Sequence, residues 1–352
     1  MNADTESMTF KEMLKVSFKS DDTEEWLDVH FTRPIGLAFA LFWMKFDVHP
    51  NVVTILSIFL GVAAGVMFGF PDLLHNILGV ILLMLANFGD STDGQMARLT
   101  GKKTLVGRVL DGFSGDVNFF VIYTAISIRL MNEPMPGISV KWGLAIWVLC
   151  YVAGVLGHIP EASLSDYYRQ IHLWFLKGKE GSELDNYAQQ RQIYETLPKE
   201  GSLASRLFYK AFYYNYANYC KGQEERTPHF QKLYAELLRR YGSPEALPND
   251  LKEEFLKGSR PLMKYTNLLT FNSRAIVLYV ACLINEPWIY PLVEVIVHTA
   301  MYVHMHRSHE NLCKHIYTKY FSKTAETNNE INDIALEADY AHSEIGAQEN
   351  GI

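Results

Sequence analysis

GDSTDGQMARLTGKKTLVGRVLDGFSGD, residues 89–116, sets four aspartates, Asp90, Asp93, Asp111 and Asp116, among apolar segments. Ionised carboxylates beside a membrane are costly unless a cation or another group compensates them, so four in one stretch demand a shared explanation. A bound divalent metal is the simplest. On a helix Asp90, Asp93, Gly94, Ala97 and Arg98 share one face, because separations of three, four, seven and eight residues return to the same side. The next helical stretch adds Gly107 and, one turn later, Asp111, so two neighbouring helices would aim carboxylates into one cavity. Hard oxygen ligands select Mg²⁺, Mn²⁺ or Ca²⁺ over zinc. Gly94 costs a helix about 1 kcal/mol relative to Ala, which implies a close approach to the backbone there, and a nucleotide suits that space.

Outside this stretch the apolar residues are clumped. They make up 49% of 352 residues while mean hydropathy stays close to zero. Residues 51–70 and 73–88 are nearly free of charge, and the second run reaches spanning length by continuing into the aspartate motif. Residues 117–130, 142–159, 268–284 and 288–305 read as four more spans. The expected fold is an all-α polytopic membrane protein of about six transmembrane helices, with an N-terminal interfacial helix and a helical cytoplasmic insertion.

Charge sets the orientation. The loops 71–76 and 285–287 carry no Lys or Arg, and the third loop on that side has only Arg129 and Lys141 at its ends. Arg98, Lys102, Lys103, Arg108 and the long segment after His158 fall on the other side, which the positive-inside rule makes cytoplasmic. The motif and both termini then face the cytoplasm. No charged start leads into an apolar run in the first 26 residues, so no cleaved signal peptide is expected. Four scattered cysteines without a CxxC pair give neither a disulfide framework nor a zinc site, and a net charge of −7 argues against a nucleic-acid partner.

These features divide the chain into a cytoplasmic N-terminus with an interfacial amphipathic segment (1–48) and four spans carrying the motif (49–172). A helical cytoplasmic insertion (173–266), two further spans (267–312) and a cytoplasmic tail (313–352), expected to be disordered after about residue 323, complete it. Pro34 is expected to interrupt or restart a helix within the interfacial segment. The insertion is rich in Tyr, Lys and Glu with helical apolar spacing, and it holds no stretch able to span a bilayer.

DSTDGQMAR, then eight residues, then GRVLD resembles the signature of the CDP-alcohol phosphotransferase family, DxxDGxxAR(x8)GxxxDxxxD, up to its third Asp. The resemblance implies a homodimeric membrane enzyme of phospholipid synthesis with two Mg²⁺ or Mn²⁺ ions held by Asp90, Asp93, Asp111 and Asp116. It implies a CDP site lined by Asp93, Gly94, Ala97, Arg98, Gly107 and Asp111, release of CMP, and a fourth acid acting as general base on the acceptor hydroxyl. Here the chain departs from the family: the fourth acid position is Gly115, and Asp116 lies one residue further on. In an unbroken helix Asp116 is rotated by about 140° from Asp111 rather than about 40°. A π-bulge across residues 112–115, where Gly112 and Gly115 ease deformation, is the expected way for Asp116 to regain the cavity and serve as the base.

Arg274, with Asn272 and Ser273 beside it, lies in an apolar segment near the motif side, and Arg274 and Asn272 are candidates for binding the acceptor. His298, His304, His306 and His309 cluster at the end of the last span and read chiefly as interfacial residues. FTRPIGLAFALFWMKFDVHPNVVT, residues 31–54, resembles the segment leading into the first span in family members that transfer to inositol phosphates. The leading expectation is transfer from CDP-diacylglycerol to inositol or inositol phosphate. Transfer from CDP-ethanolamine or CDP-choline to diacylglycerol or ceramide is the alternative within the family, and a non-catalytic scaffold that binds a nucleotide lipid is the alternative outside it.

Overall fold

The computed structural model describes residues 8–17, 20, 22–102, 105–197 and 203–322, and the tail expected to be disordered lies outside them. Among the described residues the protein is all-α, with no strand. The helices are α1 (Phe10–Ser17), α2 (Arg33–Met44), α3 (Pro50–Phe68), α4 (Leu73–Thr100), α5 (Leu105–Leu130) and α6 (Leu144–Lys177). They continue as α7 (Tyr187–Glu195), α8 (Leu203–Arg226), α9 (Pro228–Tyr241), α10 (Asn249–Ser259), α11 (Met263–Leu268), α12 (Phe271–Leu283), α13 (Ile289–Val293) and α14 (Thr299–Tyr317). Pro34 stands at the start of α2, directly after a π-helical turn at Asp28–Thr32.

Local chemistry sets the helix ends near the motif. Pro50 opens α3, where its missing N–H is harmless, and the His49 ring accepts a hydrogen bond from the Asn51 amide. Asp72 caps α4 by accepting from the His75 amide, and Gly101 ends it in the left-handed region at φ 70°. The resulting α4 carries both an apolar run and the first half of the aspartate motif on one continuous helix.

Small residues let three helices close around that motif. Ser57, Gly61 and Gly65 form an i, i+4 stripe on α3. A Cβ at Gly61 would stand 2.2 Å from the Asn118 carboxamide of α5, and one at Gly65 would stand 2.8 Å from Val121. A Cβ at Gly89 of α4 would meet that of Ser57 at 3.0 Å. Helix α2 lies on the motif half of α4: Thr92 Oγ1 donates to the Gly36 carbonyl at 3.2 Å and Gln95 Nε2 to the Arg33 carbonyl at 3.0 Å. Leu37 and Ala40 are buried in this contact while Phe39 and Phe42 stay exposed, which gives α2 one apolar outer face.

Pro50–Phe68, Leu73–Thr100, Leu144–Lys177 and Asn249–Leu283 are long and apolar enough to cross a membrane by length and composition. The other two expected spans, 117–130 and 288–305, fall in α5 and in the α13–α14 run. Two π-helical turns face each other in this region, Val152–His158 within α6 and Glu294–His298 between α13 and α14. Pro160 follows the first and has no N–H for the carbonyl four residues back, which favours a widened turn.

The bundle is pinned at its far end by Arg129, which is 9% exposed. Its guanidinium donates to the Phe68 carbonyl at 2.8 Å, to Asn76 Oδ1 at 3.0 Å and to Asn285 Oδ1 at 2.5 Å, tying three connections together. Beyond the other end, α6 and α14 run on into a polar helical unit. Tyr168, Trp174, Phe175, Phe230 and Phe255 form its core around His309. A buried His172 joins the N-terminal segment to this unit through Ser259 Oγ at 2.8 Å and Asp22 at 3.3 Å.

Two predictions arise from these contacts. Replacing Arg129 with Ala leaves several buried acceptors without a donor, and is expected to cost roughly 2–4 kcal/mol in detergent unfolding measurements. Burial, with smaller contributions from His306 and His172, pushes the His309 imidazole from its ordinary 6.5 down to about 3. A depressed folded value means the unfolded chain takes up the proton first, so this stability is complete above pH 6.5 and is lost as pH falls toward 3. Trp174 fluorescence melts are expected to show that acid sensitivity in the wild type and a flatter profile in His309→Phe.

Candidate active site

A cavity of about 240 Å³ opens where α4, α5, α6 and α12 meet. Asp90 and Asn87 line it from α4, and Ser57 from α3. Helix α5 contributes Gly112, Ser114, Gly115, Asp116, Asn118 and Phe119, while His158, Thr270 and Arg274 complete the polar part of the wall. The two neighbouring helices of the motif therefore do bring acids to one space, with Ser114 Oγ bridging them by donating to Asp90 Oδ1 at 3.4 Å.

The π-bulge expected at residues 112–115 is absent. Helix α5 is α-helical throughout Leu105–Leu130, yet Asp116 lines the cavity. The reason is angular: Gly112, Gly115, Asp116 and Phe119 follow the spacing of one helical face, and Ser114 and Asn118 form its other margin. The cavity takes in a broad arc of α5, wide enough to include Asp116 at one edge without any deformation. A Cβ added at Gly115 would meet nothing within 4 Å, so the position where the family signature has its fourth acid is open space here.

The remaining motif residues are arranged as follows. Asp93 is buried and accepts a hydrogen bond from Thr54 Oγ1 of α3, which fixes one carboxylate oxygen from outside its own helix. The Arg98 guanidinium folds back over Gly94, with both terminal nitrogens 3.5 Å from where a Cβ would be. The guanidinium is thus within ordinary van der Waals range of position 94, above the motif face. Ala97 and Gly107 are half-buried. Asp111 lies on α5, and its side chain is outside the described set.

Arg274 reaches the wall of the cavity but is fully buried and fully engaged. Its Nε donates to Glu294 Oε1 at 2.8 Å, its Nη2 to Glu161 Oε2 at 2.8 Å, and its Nη1 to the Leu269 carbonyl. Thr299 Oγ1 donates to the other Glu161 oxygen at 2.8 Å, and His298 Nδ1 lies 2.8 Å from Glu294 Oε2. Asn272 points elsewhere, donating from Nδ2 to Glu25 at 2.7 Å and to Asp28 at 2.9 Å, where it fastens the N-terminal segment to α12.

The histidines of the last span do not converge on a common point. His298 pairs with Glu294, His304 packs on Tyr265, His306 Nδ1 lies 2.5 Å from the Tyr168 hydroxyl, and His309 stacks on Tyr168. His309, Glu310 and Cys313 place ligand atoms within 4.8 Å of one another. The Glu310 oxygens, however, accept from the backbone amides of His229 and Phe230 and so cap α9.

The sequence reading did not single out Glu161, Glu294, Asn118 or His158. The signal was clearest for Glu294, a lone acid inside the apolar run PLVEVIV.

Comparison with known proteins agrees with the motif. Residues 47–159 match the CDP-alcohol phosphatidyltransferase family model, a segment that holds α3, α4, α5 and α6 as far as His158 and Ile159. An uncharacterized protein of Aquifex aeolicus (strain VF5) is 34% identical over 88 residues, covering 25% of this chain. The matched segment spans 43% of that relative's length. Four apolar helices and this family make the chain an integral membrane protein. Its residues 47–159 are a CDP-alcohol phosphatidyltransferase domain.

Proposed function

We propose that the protein transfers a substituted phosphate from a CDP-linked donor to an alcohol, releasing CMP, at the cytoplasmic face of a membrane. The observation that carries this reading is the cavity shared by Asp90 of α4 and Asp116 of α5 within a domain of this family. Both termini face the cytoplasm in this reading, and the working enzyme is a homodimer.

The donor set suits a hard divalent cation. Carboxylate, amide and hydroxyl oxygens from Asp90, Asp116, Asn87, Asn118, Ser57 and Ser114 line the cavity, with no sulfur among the described lining residues. Asp90, Asp93, Asp111 and Asp116 would hold two Mg²⁺ or Mn²⁺ ions. When bound, the metals neutralise charge on the pyrophosphate and on departing CMP. Thr54 holds Asp93 in place for that task, and Arg98 over Gly94 supplies a positive group for the nucleotide or for a motif carboxylate. Asp93, Gly94, Ala97, Arg98, Gly107 and Asp111 form the CDP site in this reading.

Asp116 takes the proton of the acceptor hydroxyl. The oxygen then attacks the phosphorus on the alcohol side of the pyrophosphate, the bond to the CMP oxygen breaks, and CMP leaves with its electron pair. CDP-diacylglycerol as donor and inositol or inositol phosphate as acceptor is the pair the N-terminal segment favours.

The test is CMP release by the full chain in proteoliposomes, using CDP-diacylglycerol, CDP-ethanolamine and CDP-choline against a panel of alcohols. Metal-dependent CMP formation is expected with one donor class, and Asp93→Asn and Asp116→Asn are each expected to lower it by about 100-fold or more. Because position 115 is open, adding Gly115→Asp to Asp116→Asn is expected to restore part of the rate. Full activity in Asp116→Asn contradicts the base assignment, and no CMP from any pair contradicts the transfer reading.

A further inference from the structure

The acids of the cavity come from α4 and α5, while α6 and the start of α12 bring a different chemistry, with His158, Thr270 and Arg274 on the wall. Arg274 is the one cation among the described lining residues. Its guanidinium is 0% exposed and is closed on Glu161 and Glu294, which are 1% and 0% exposed. Two buried carboxylates therefore close on this one guanidinium. Freeing Arg274 for a phosphate would leave two buried carboxylates uncompensated, a change the apolar surroundings oppose. Arg274 is thus committed to its two glutamates, and a phosphate brought to this wall would find no other side-chain cation among the described lining residues.

Neutral polar groups beside this wall lack partners among the described residues, Asn118 on α5 and His158 on α6. Asn118 is 5% exposed, and its Oδ1 is buried with no hydrogen-bond partner among the described residues. The carboxamide rests directly against Gly61 of α3, in space that a Cβ there would fill. His158 is also 5% exposed, wedged against Phe119 at 4.4 Å, with its buried Nδ1 3.9 Å from Glu294 Oε1. That Nδ1 has no hydrogen-bond partner among the described residues, and the ring lines the cavity. The π-helical turn ending at His158 and the facing turn carrying Glu294 set this placement, and such turns recur at functional sites. A buried carboxamide oxygen and an imidazole nitrogen are satisfied by hydroxyl groups.

We infer that Asn118 and His158, backed by the closed Glu161–Arg274–Glu294 pair, form the acceptor subsite, and that this subsite selects an uncharged hydroxyl compound over its phosphomonoester. This rests on the transfer reading above and narrows it: of the two acceptors named there, inositol fits and inositol phosphate does not. Arg274 has a structural part in this arrangement, holding the two glutamates that orient the wall. Asn118 and His158 contact the acceptor, whereas Asp116 receives its proton.

The experiment measures steady-state CMP release by the full chain in proteoliposomes at saturating donor, with matched acceptors: inositol against inositol phosphate, and glycerol against glycerol phosphate. The uncharged member of the preferred pair is expected to show a kcat/KM at least about tenfold higher. Asn118→Ala and His158→Gln are expected to raise the acceptor KM by about tenfold while the donor KM stays within about twofold. A preference for the phosphomonoester overturns the inference even if neither variant folds, as does a KM change that falls on the donor. No CMP from any donor and acceptor removes the transfer reading and the inference with it, and is distinguished from the other failures by the silent wild type.

Discussion

Ionised groups placed among apolar helices must be compensated, and this constraint organises the centre of the protein. Two solutions stand side by side. Around Arg274 the compensation is internal, with Glu161 and Glu294 closing on the guanidinium. Around Asp90 and Asp116 two carboxylates border open space, which is the arrangement expected where an external cation and a charged substrate complete the site. The small-residue stripe Ser57, Gly61 and Gly65 on α3 allows α4 and α5 to approach closely enough for the acids to share that space.

The aspartate motif was legible in the sequence because its information lies in residue identity at fixed spacing, and helical periodicity carries that spacing directly into space. Spacing alone puts Asp90, Asp93, Gly94 and Arg98 on one face. The deformation expected in α5 was not needed, since the angular argument compared Asp116 with Asp111 alone and the cavity accepts a broader arc of the helix. The π-helical turns lie instead at Val152–His158 and Glu294–His298, where only the proline after the first gave any local signal. A turn type that depends on packing between α6 and the α13–α14 run is not written in either segment alone.

Arg274 shows the limit of reading a charge without its neighbours. Its position in an apolar run marked it as functional, but its counter-ions sit 113 and 20 residues away in sequence, on different helices. Glu294 is a lone acid in an apolar stretch, so pairing it with Arg274 by compensation would have suggested part of the cluster, whereas Glu161 stands in the polar sequence HIPEASLSD. Asn272 was drawn to the cavity by sequence proximity to Arg274, whereas helix rotation aims it at Glu25 and Asp28. The polar unit formed by the ends of α6 and α14 with α7 to α11 continues the same helices that carry His158, Glu161 and Glu294, so site and appended unit share rigid elements.

The claim on which the account turns is that the acids of α4 and α5 form a cation site next to a nucleotide site. Titration of the purified protein with Mn²⁺, followed by loss of the free-ion electron paramagnetic resonance signal, tests it without depending on the acceptor. The account predicts Mn²⁺ binding that tightens when CDP is present and disappears in Asp90→Asn. Mn²⁺ binding that is indifferent to CDP, or that survives unchanged in Asp90→Asn, would contradict it.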